Sequence, residues 1–208
     1  MRSQMKTAKF CRDTGSHYKR GKNMRIKEQQ YQLPNGEIAI IKSAGPEDAM
    51  QIKTHRELTS SETHFMAREP EDGQMNLERI TEILKGVSES DRDFMVTAYV
   101  DGKVVGDLGV TLVRPHVKYL HRGYLGMSIR QTYTGMGLGS FMMKTALEQA
   151  KENGFEQVEL GVFADNDRAR HLYKKYGFKE YGVNPRAFKL KDGTYIDEII
   201  MANIFDEE

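Results

Sequence analysis

A glycine-rich loop and two polar residues that follow it have the types and spacing for chemistry. The loop, residues 134–139, has glycine at positions 135, 137 and 139 and lies between an apolar segment (125–129) and a long helical pattern. Such glycines allow backbone N–H groups near a helix N-terminus to approach an anion closely. Asn166 and Tyr173 follow on a short predicted helix. The pattern predicts a phosphate-binding loop with an amide and a phenol nearby.

The elements that must position this loop are predicted from hydrophobic periodicity and turn residues. Strands are predicted at 37–44, 94–100, 103–114, 119–130, 158–163, 178–183 and 195–205. Helices are predicted at 45–58, 75–87, 138–150 and 166–176. A polar loop or short irregular helix is expected at 59–73, and a loop containing Pro185 is expected between the last two strands. This order indicates a single α/β (α+β) domain.

The composition is that of a soluble globular protein. The chain has 208 residues, of which 38% are hydrophobic and 29% charged. It has no apolar run near the roughly 18–20 residues that a membrane span needs, and no apolar stretch follows its basic N-terminus as in a signal peptide. Cys11 is the one cysteine, which excludes an internal disulfide framework and favours a reducing compartment. We therefore expect a cytoplasmic protein that uses no cysteine nucleophile.

The charge is distributed unevenly along the chain. Residues 1–30 contain nine Lys/Arg and two Asp/Glu, whereas the rest contains 22 basic and 28 acidic residues. The mildly acidic body argues against nucleic-acid binding through its surface. The basic arm could contact nucleic acid or membrane, but its composition favours a disordered tail. We therefore divide the chain into an arm, 1–30, and a domain, 36–207.

The residues before Met24 suggest an alternative start of translation. Residues 19–23 read Lys-Arg-Gly-Lys-Asn, which a purine-rich run resembling a bacterial ribosome-binding site can encode. Our hypothesis is that translation naturally begins at Met24. The intact mass of the natively expressed protein tests it, and a species that begins at Met1 would exclude it.

Two linked motifs give the chain a family resemblance. The glycine loop resembles the coenzyme loop of the GCN5-related N-acetyltransferase (GNAT) superfamily, and the family pattern Asn-x-x-Ala-x-x-x-Tyr-x-x-x-Gly-Phe is complete at Asn166, Ala169, Tyr173, Gly177 and Phe178. The resemblance covers 36–206 in element order and is specific over 125–182. It implies a GNAT fold, with a mixed, mostly antiparallel sheet of about six to seven strands, flanking helices, and a splay between the fourth and fifth strands.

A Rossmann dinucleotide site is the main alternative for these glycines. That site lies in the first βαβ unit and has the spacing Gly-x-Gly-x-x-Gly. Here the loop follows antiparallel strands, and Ser140 and Phe141 stand where the last glycine would fall. Glu159 imitates the ribose-binding acid in position, but it lies within a strand alternation. We favour the coenzyme A loop over this alternative and over a glycine turn that binds nothing.

The resemblance implies direct transfer of an acetyl group from acetyl-CoA to a primary amine of a small molecule, with no metal. It implies that the strand 127–129 pairs with pantetheine, that an N–H of Met127 or Ser128 polarises the thioester, and that Tyr173 is the general acid. Thr134 replaces the family's Gln or Arg, at small cost because backbone N–H groups bind the pyrophosphate. The implied coenzyme residues are Met127, Ser128, Ile129, Thr134, Gly135, Met136, Gly137, Leu138, Gly139, Ser140, Asn166 and Tyr173.

The general base and the acceptor site are less defined by the sequence. Relatives often carry a strand Glu around the position where this chain has Tyr124. Without it, the amine's proton could pass through water to His121, Glu62, His64 or Asp107, and we name His121 as the base. The segment 59–71 is expected to recognise the acceptor, and Glu62, His64 and Tyr124 are the candidate substrate residues. Tyr173 could instead be core packing, and Asn166 could serve only as a helix cap.

Several acceptors and functions stay open at this point. A polyamine, an aminoglycoside, an amino acid, and a protein N-terminus or lysine all fit the resemblance, as does a longer acyl donor. The alternative functions are a protein acetyltransferase and a non-catalytic acyl-CoA-binding regulator. We expect no nucleic-acid or membrane partner, and both a monomer and a homodimer are open.

Overall fold

A single mixed sheet dominates the computed structural model, which describes residues 26–69 and 76–205. Within these ranges the sheet has eight strands in the order β1-β2-β3-β4-β5-β6-β8-β7. The strands are β1 (Gln29–Gln32), β2 (Ile38–Lys42), β3 (Phe94–Val100), β4 (Lys103–Leu112), β5 (Arg122–Ile129), β6 (Gln157–Phe163), β7 (Lys179–Lys189) and β8 (Tyr195–Ile204). The helices are α1 (Ala49–Glu62), α2 (Leu77–Glu89), α3 (Leu138–Glu152) and α4 (Asp167–Lys175).

The sheet is antiparallel except between β5 and β6, and the expected fold class is confirmed. The parallel pairing of β5 with β6 covers only three residue pairs and ends at Tyr124 opposite Glu159. Beyond that point the two strands pair with their outer neighbours alone, β5 with β4 and β6 with β8. The sheet is therefore splayed where the sequence predicted it, between the fourth and fifth predicted strands.

The extra strand is β1, which the sequence prediction missed. Its four residues are mostly glutamine, so they show no hydrophobic alternation. Pairing with β2 forms it, with Tyr31 opposite Ala39. Ile26 is buried just before it, and the Ile26 N–H donates to Ser43 Oγ at 2.9 Å. The last residues of the predicted arm thus belong to the sheet region, while residues 1–25, with Cys11 and Met24, lie outside the described residues.

The structure of β7, near the end of the chain, corrects one predicted loop. Pro185 was expected in a loop, but β7 continues past it to Lys189. Two features accommodate the proline: β7 is an edge strand, and its register with β8 shifts between Asn184 and Phe188. Edge strands and bulges are the positions where a missing backbone donor is tolerated.

The helices cover both faces of the sheet and create two apolar cores. α3 and α4 pack on one face of the sheet, where Leu138 and Met142 of α3 and Leu160 of β6 belong to the larger core. α1 and α2 cover the other face, around Ile52 and Leu84. α1 runs four residues beyond its predicted end, to Glu62, because contacts described below stabilise its last turn. None of the helices in the described ranges is both long and apolar enough to cross a membrane.

Candidate active site

The splay between β5 and β6 opens a cleft of about 1180 Å³. Its floor is the backbone of β5 beyond Tyr124 and of β6 beyond Gly161. One end is bounded by the glycine loop, the start of α3 and one face of α4. The other end is bounded by Glu62, the last residue of α1, and by Thr63 and residues 65–68, which follow it. The two motifs predicted from the sequence therefore meet at one side of a single cleft.

The backbone of β5 offers hydrogen-bonding groups to this cleft at alternate residues. The Arg130 N–H donates to Val105 O at 2.9 Å, and Val113 N–H donates to Arg122 O at 3.2 Å. Since backbone groups in an antiparallel ladder alternate in direction, even-numbered residues of β5 face β4. Met127 and Ile129 thus point their N–H and C=O groups into the splay, where no described strand pairs with them.

Ser128 does not share this role. Its backbone is directed toward β4, opposite Asp107. Its hydroxyl lies 2.9 Å from Nε2 of the buried His55. Of the two predicted oxyanion donors, the geometry retains Met127 and excludes the N–H of Ser128.

The glycine loop turns sharply into α3. Gly135 and Gly137 have φ angles of +80° and +82°, a left-handed conformation that other residues adopt at a cost. Gly137 is the N-cap of α3, and the first helical hydrogen bond runs from Phe141 N–H to Gly137 O at 3.1 Å. The N–H groups of residues 138–140 therefore have no helical partner and can bind an anion.

Tyr31 of β1 supports this loop from behind. Its hydroxyl donates to Met136 O at 3.1 Å, and its ring lies 4.9 Å from that of Phe141. A Cβ atom at Gly137 would collide with the Tyr31 hydroxyl. β1, which the sequence prediction missed, thus fixes the glycine loop, which the same prediction identified.

The other residues of the loop that were predicted to bind the coenzyme fall into two groups. Thr134, Gly139 and Ser140 line the cleft, whereas Met136 and Leu138 do not, although their backbones shape the loop. The Thr134 hydroxyl donates to Gln131 O at 2.7 Å, so its side chain completes the turn.

Asn166 and Tyr173 both line the cleft from α4. Asn166 caps the helix, with Oδ1 accepting from Ala169 N–H at 3.1 Å, and its Nδ2 has no partner among the described residues. Tyr173 is 7% exposed, and its ring lies 5.8 Å from that of Phe178. Burial, with a smaller contribution from Tyr124, raises the pKa of Tyr173 to about 12. The phenol is therefore both packed in the core and held protonated beside the cleft.

A cationic stripe on α4 was not singled out from the sequence. Arg168, His171 and Lys175 line the cleft at intervals of three and four residues, so they lie on one helix face. They lie next to the glycine loop, and the positive charges of Arg168 and Lys175 suit an anionic ligand. Their spacing of three and four residues on a predicted helix is the sequence signal that could have located them.

The structure does not bring His121 to the cleft. It precedes β5, at the end opposite Met127, and its carbonyl accepts the N–H groups of Glu156 and Gln157 at 2.9 and 3.2 Å. His121 is not among the residues that line the cleft. We therefore withdraw it as the general base.

Two of the predicted substrate residues are engaged by the protein. Glu62 lines the cleft, but its two oxygens accept from Arg130 Nε at 2.7 Å and from Gln131 N–H at 2.8 Å. These bonds fix the last turn of α1 to the end of β5. His64 lies outside the cleft lining, with Nε2 2.9 Å from Asp165 Oδ2. Neither residue is free to bind an amine as predicted.

Tyr124 does line the cleft, and Glu198 of β8 accompanies it. The Glu198 carboxylate lies against Gly161 of β6, where any Cβ atom would collide with it. Asn184 Nδ2 donates to it at 3.5 Å, and no cation pairs with it in the described ranges. Burial and the nearby charge of Glu198 raise the pKa of Tyr124. No motif marks Glu198, so sequence reasoning treated it only as part of a strand.

The opposite wall carries charged residues from α1 and β4. Arg56 Nε and Nη2 lie 3.4 and 3.3 Å from Asp107 Oδ2. Arg68, from the segment after α1, lines the cleft beside them and forms no hydrogen bond or ion pair with the described residues. His55 lies beneath this wall, and burial lowers its pKa, so its imidazole is neutral.

Comparison with known proteins agrees with this geometry. Residues 53–178 match the model of the acetyltransferase (GNAT) family. An L-amino acid N-acetyltransferase of Escherichia coli is 32% identical over 111 residues, 52% of this chain and 67% of that protein. A putative ribosomal protein bS18 alanine N-acetyltransferase of Bacillus subtilis is 29% identical over 83 residues, 40% of this chain and 52% of that protein.

A solved structure extends the likeness to the fold. The crystal structure of a GNAT-family acetyltransferase from Streptococcus pneumoniae superposes with a TM-score of 0.76 at 27% identity. The match covers 81% of this chain and 99% of that one. The family model accounts for more than half of the chain.

Proposed function

The chain belongs to the acetyltransferase (GNAT) family and is an acyltransferase that uses acetyl-CoA, and from this premise we propose that it acetylates the primary amine of a small molecule by direct transfer. The observation that carries the proposal is the position of Tyr173, whose protonated phenol borders the splay that exposes the backbone of Met127. An acid and an oxyanion donor at one cleft are what thioester aminolysis requires.

The donor side of the cleft fits coenzyme A. The N–H groups of residues 138–140 would bind the pyrophosphate, because they lack helical partners and the Gly137 turn admits a close approach. Met127 and Ile129 would pair with the amides of pantetheine as a strand would. Asn166 Nδ2 is available to donate to the same arm. When bound, acetyl-CoA supplies the activated acetyl group.

Three residues of the chain would then move or stabilise charge. The Met127 N–H would donate to the thioester oxygen, where negative charge develops. Tyr173 would give its proton to the departing sulfur. We assign the acceptance of the amine's proton to Glu198, because among the described acids that line the cleft it is the one that neither a cation nor a backbone N–H engages. Tyr124, beside it, would help to orient the amine.

The acceptor end of the cleft favours a small molecule over a polypeptide. Thr63, Phe65, Met66 and Arg68 form a wall across it. Coenzyme and acceptor must share about 1180 Å³, and small-molecule pockets typically occupy roughly 300–1,000 Å³. A protein substrate would need this wall to open. The likeness to a ribosomal-protein acetyltransferase makes a protein N-terminus the second candidate.

Thiol release from acetyl-CoA across an amine panel tests the proposal. The panel contains amino acids, a polyamine, an aminoglycoside and a short peptide with a free N-terminus. We expect turnover with at least one small amine and little with the peptide. Turnover with the peptide alone would establish the second candidate. Tight binding of acetyl-CoA without turnover of any amine would identify a regulator instead.

Glu198→Gln tests the assignment of the base. We expect kcat to fall by about 10²- to 10⁴-fold, the usual contribution of a general base, with an unchanged Kd for acetyl-CoA. The loss should be smaller for acceptors whose amine has a low pKa, because they are already deprotonated. Glu148→Gln, on the exposed face of α3, is the control that removes an equal charge outside the cleft. A uniform loss with every acceptor would argue against a base.

The cationic stripe on α4 predicts a preference among coenzyme forms. The paired change Arg168→Gln and Lys175→Gln should weaken CoA binding by roughly 10- to 100-fold, the worth of one or two charge-assisted hydrogen bonds. The effect should shrink at high salt, and binding of acetyl-pantetheine should stay as it is. Lys174→Gln, whose ammonium instead pairs with Glu180 at 2.9 Å, is the matched control. Equal losses for both ligands would contradict the assignment.

A further inference from the structure

Within the described residues, the wall of the acceptor end carries one more positive charge than its acids neutralise. Arg56 and Arg68 both face the cleft there, and Asp107 is the acid beside them. Glu62 does not neutralise the charge of either arginine, because Arg130 and the Gln131 N–H engage its oxygens. Two guanidinium groups thus share a single carboxylate.

The contact between Arg56 and Asp107 leaves both arginines with unused donors. Both of its hydrogen bonds go to one oxygen, at 3.3 and 3.4 Å, whereas a close charged pair has N···O distances of about 2.7–2.9 Å. Asp107 Oδ1 is buried without a partner. An arginine has five donors, so Arg56 has donors to spare and Arg68 has all of its own.

Arg68 is an exposed residue of the cleft lining. Partial burial and the nearby charge of Arg56 lower its pKa, whereas the charge of Asp107 acts in the opposite direction. A second anion in this part of the cleft would neutralise the positive charge that Asp107 alone does not balance. Planar carboxylates match the guanidinium fork, which favours a carboxylate as that anion.

The cleft therefore has two ends of opposite charge. Among residues 26–69 and 76–205, Glu198 on the β8 side has no cationic partner, and Arg68 on the α1 side has no anionic partner of its own. An acceptor that carried only an amine would leave the arginines unmatched. An acceptor with both an amine and a carboxylate would satisfy both ends.

We propose that the acceptor is an amino acid or a close analogue whose carboxylate is bound by Arg68 with Arg56, on the wall of the cleft opposite Glu198. This inference rests on the proposed function and specifies its substrate class. Arg68 would act as a specificity residue: it contributes to acceptor binding and takes no part in the proton transfers at Tyr173 and Glu198.

The test compares each amino acid with its own carboxamide, which keeps the amine and side chain and removes the negative charge. The wild-type protein should prefer the amino acid by about 10- to 100-fold in kcat/KM, the worth of a charged hydrogen bond. Arg68→Gln should abolish most of this preference through the KM of the amino acid. The KM of acetyl-CoA and turnover of the carboxamide should not change.

Two further variants make the result specific. Arg68→Lys keeps the charge without the planar fork and should restore part of the preference. Arg79→Gln removes the same charge from the exposed face of α2, outside the cleft, and should leave the preference intact. An unchanged preference in Arg68→Gln, or the absence of any preference in the wild-type protein, would overturn the inference.

A binding measurement separates this inference from the proposed function. Calorimetric titration of the CoA complex with the same pairs needs no turnover. Binding of the amino acid but not its carboxamide, lost in Arg68→Gln, would uphold the carboxylate site even if no amine were acetylated. Turnover of carboxamides and amino acids at equal rates would uphold the proposed function and reject the carboxylate site.

Discussion

Replacing Tyr173 with phenylalanine is expected to lower kcat by about 10²- to 10⁴-fold, the range for loss of a general acid, with no change in the Kd for acetyl-CoA. The phenylalanine keeps the ring that packs near Phe178, 5.8 Å away. It removes only the hydroxyl, which has no hydrogen-bond partner among the described residues. The measurement is steady-state kinetics together with a direct titration of acetyl-CoA.

A matched variant tests whether altered packing, and not loss of the general acid, explains the fall in kcat. Tyr176→Phe removes a hydroxyl three residues farther along, at the end of α4 and outside the cleft lining, and should leave kcat unchanged. Equal losses of kcat and of acetyl-CoA affinity in Tyr173→Phe would point to packing. The pH profile gives a further check. With a pKa of about 12, Tyr173 stays protonated through neutral and moderately alkaline pH, so an alkaline decline near neutrality would contradict its role.

Gly137→Ala is expected to weaken acetyl-CoA binding by roughly 10- to 100-fold, because the added Cβ would strain a left-handed residue by about 1–3 kcal/mol. It would also collide with the Tyr31 hydroxyl and displace the N–H groups to which we assign pyrophosphate binding. Isothermal titration with acetyl-CoA and with CoA measures the loss. The measured change in affinity should appear with both ligands, since both carry the pyrophosphate.

The Gly193→Ala variant separates the effect of backbone strain from that of the collision with the Tyr31 hydroxyl. Gly193 has a φ of +89° and open space around its Cβ position, in the turn before β8. Its alanine variant should lose stability but keep coenzyme affinity. Adding Tyr31→Phe to Gly137→Ala should recover part of the binding, because the hydroxyl is then absent. If Gly137→Ala bound acetyl-CoA normally, the loop would not be the pyrophosphate site.

The residues predicted to bind the coenzyme meet at one cleft, and the sequence could bring them together because their signals are local. The glycines at 135, 137 and 139 lie within one loop, and Asn166 and Tyr173 lie on one short helix, so the family motifs can be recognised from the sequence. The fold class followed from the same order of elements. Hydrophobic alternation located most strands, and it failed at β1 because its residues are polar and are ordered by pairing with β2.

The acceptor half depends on contacts between distant segments, which spacing does not encode. Glu198 enters the cleft because β8 pairs with β6, so that its carboxylate lies against Gly161. Glu62 is removed from the candidates by Arg130, 68 residues away in the chain. The direction of the Ser128 backbone follows from the register of β4 with β5. His121 was a plausible titratable group that the fold places at the wrong end of β5.

The central claim is that this cleft transfers an acetyl group from acetyl-CoA directly to an amine. The most direct measurement quantifies free CoA thiol and N-acetylated amino acid by mass spectrometry in the same reaction. We predict that the two products form one for one with the wild-type protein and that Tyr173→Phe forms both far more slowly. If acetyl-CoA does not bind, or if thiol is released without an acetylated amine, the account is contradicted.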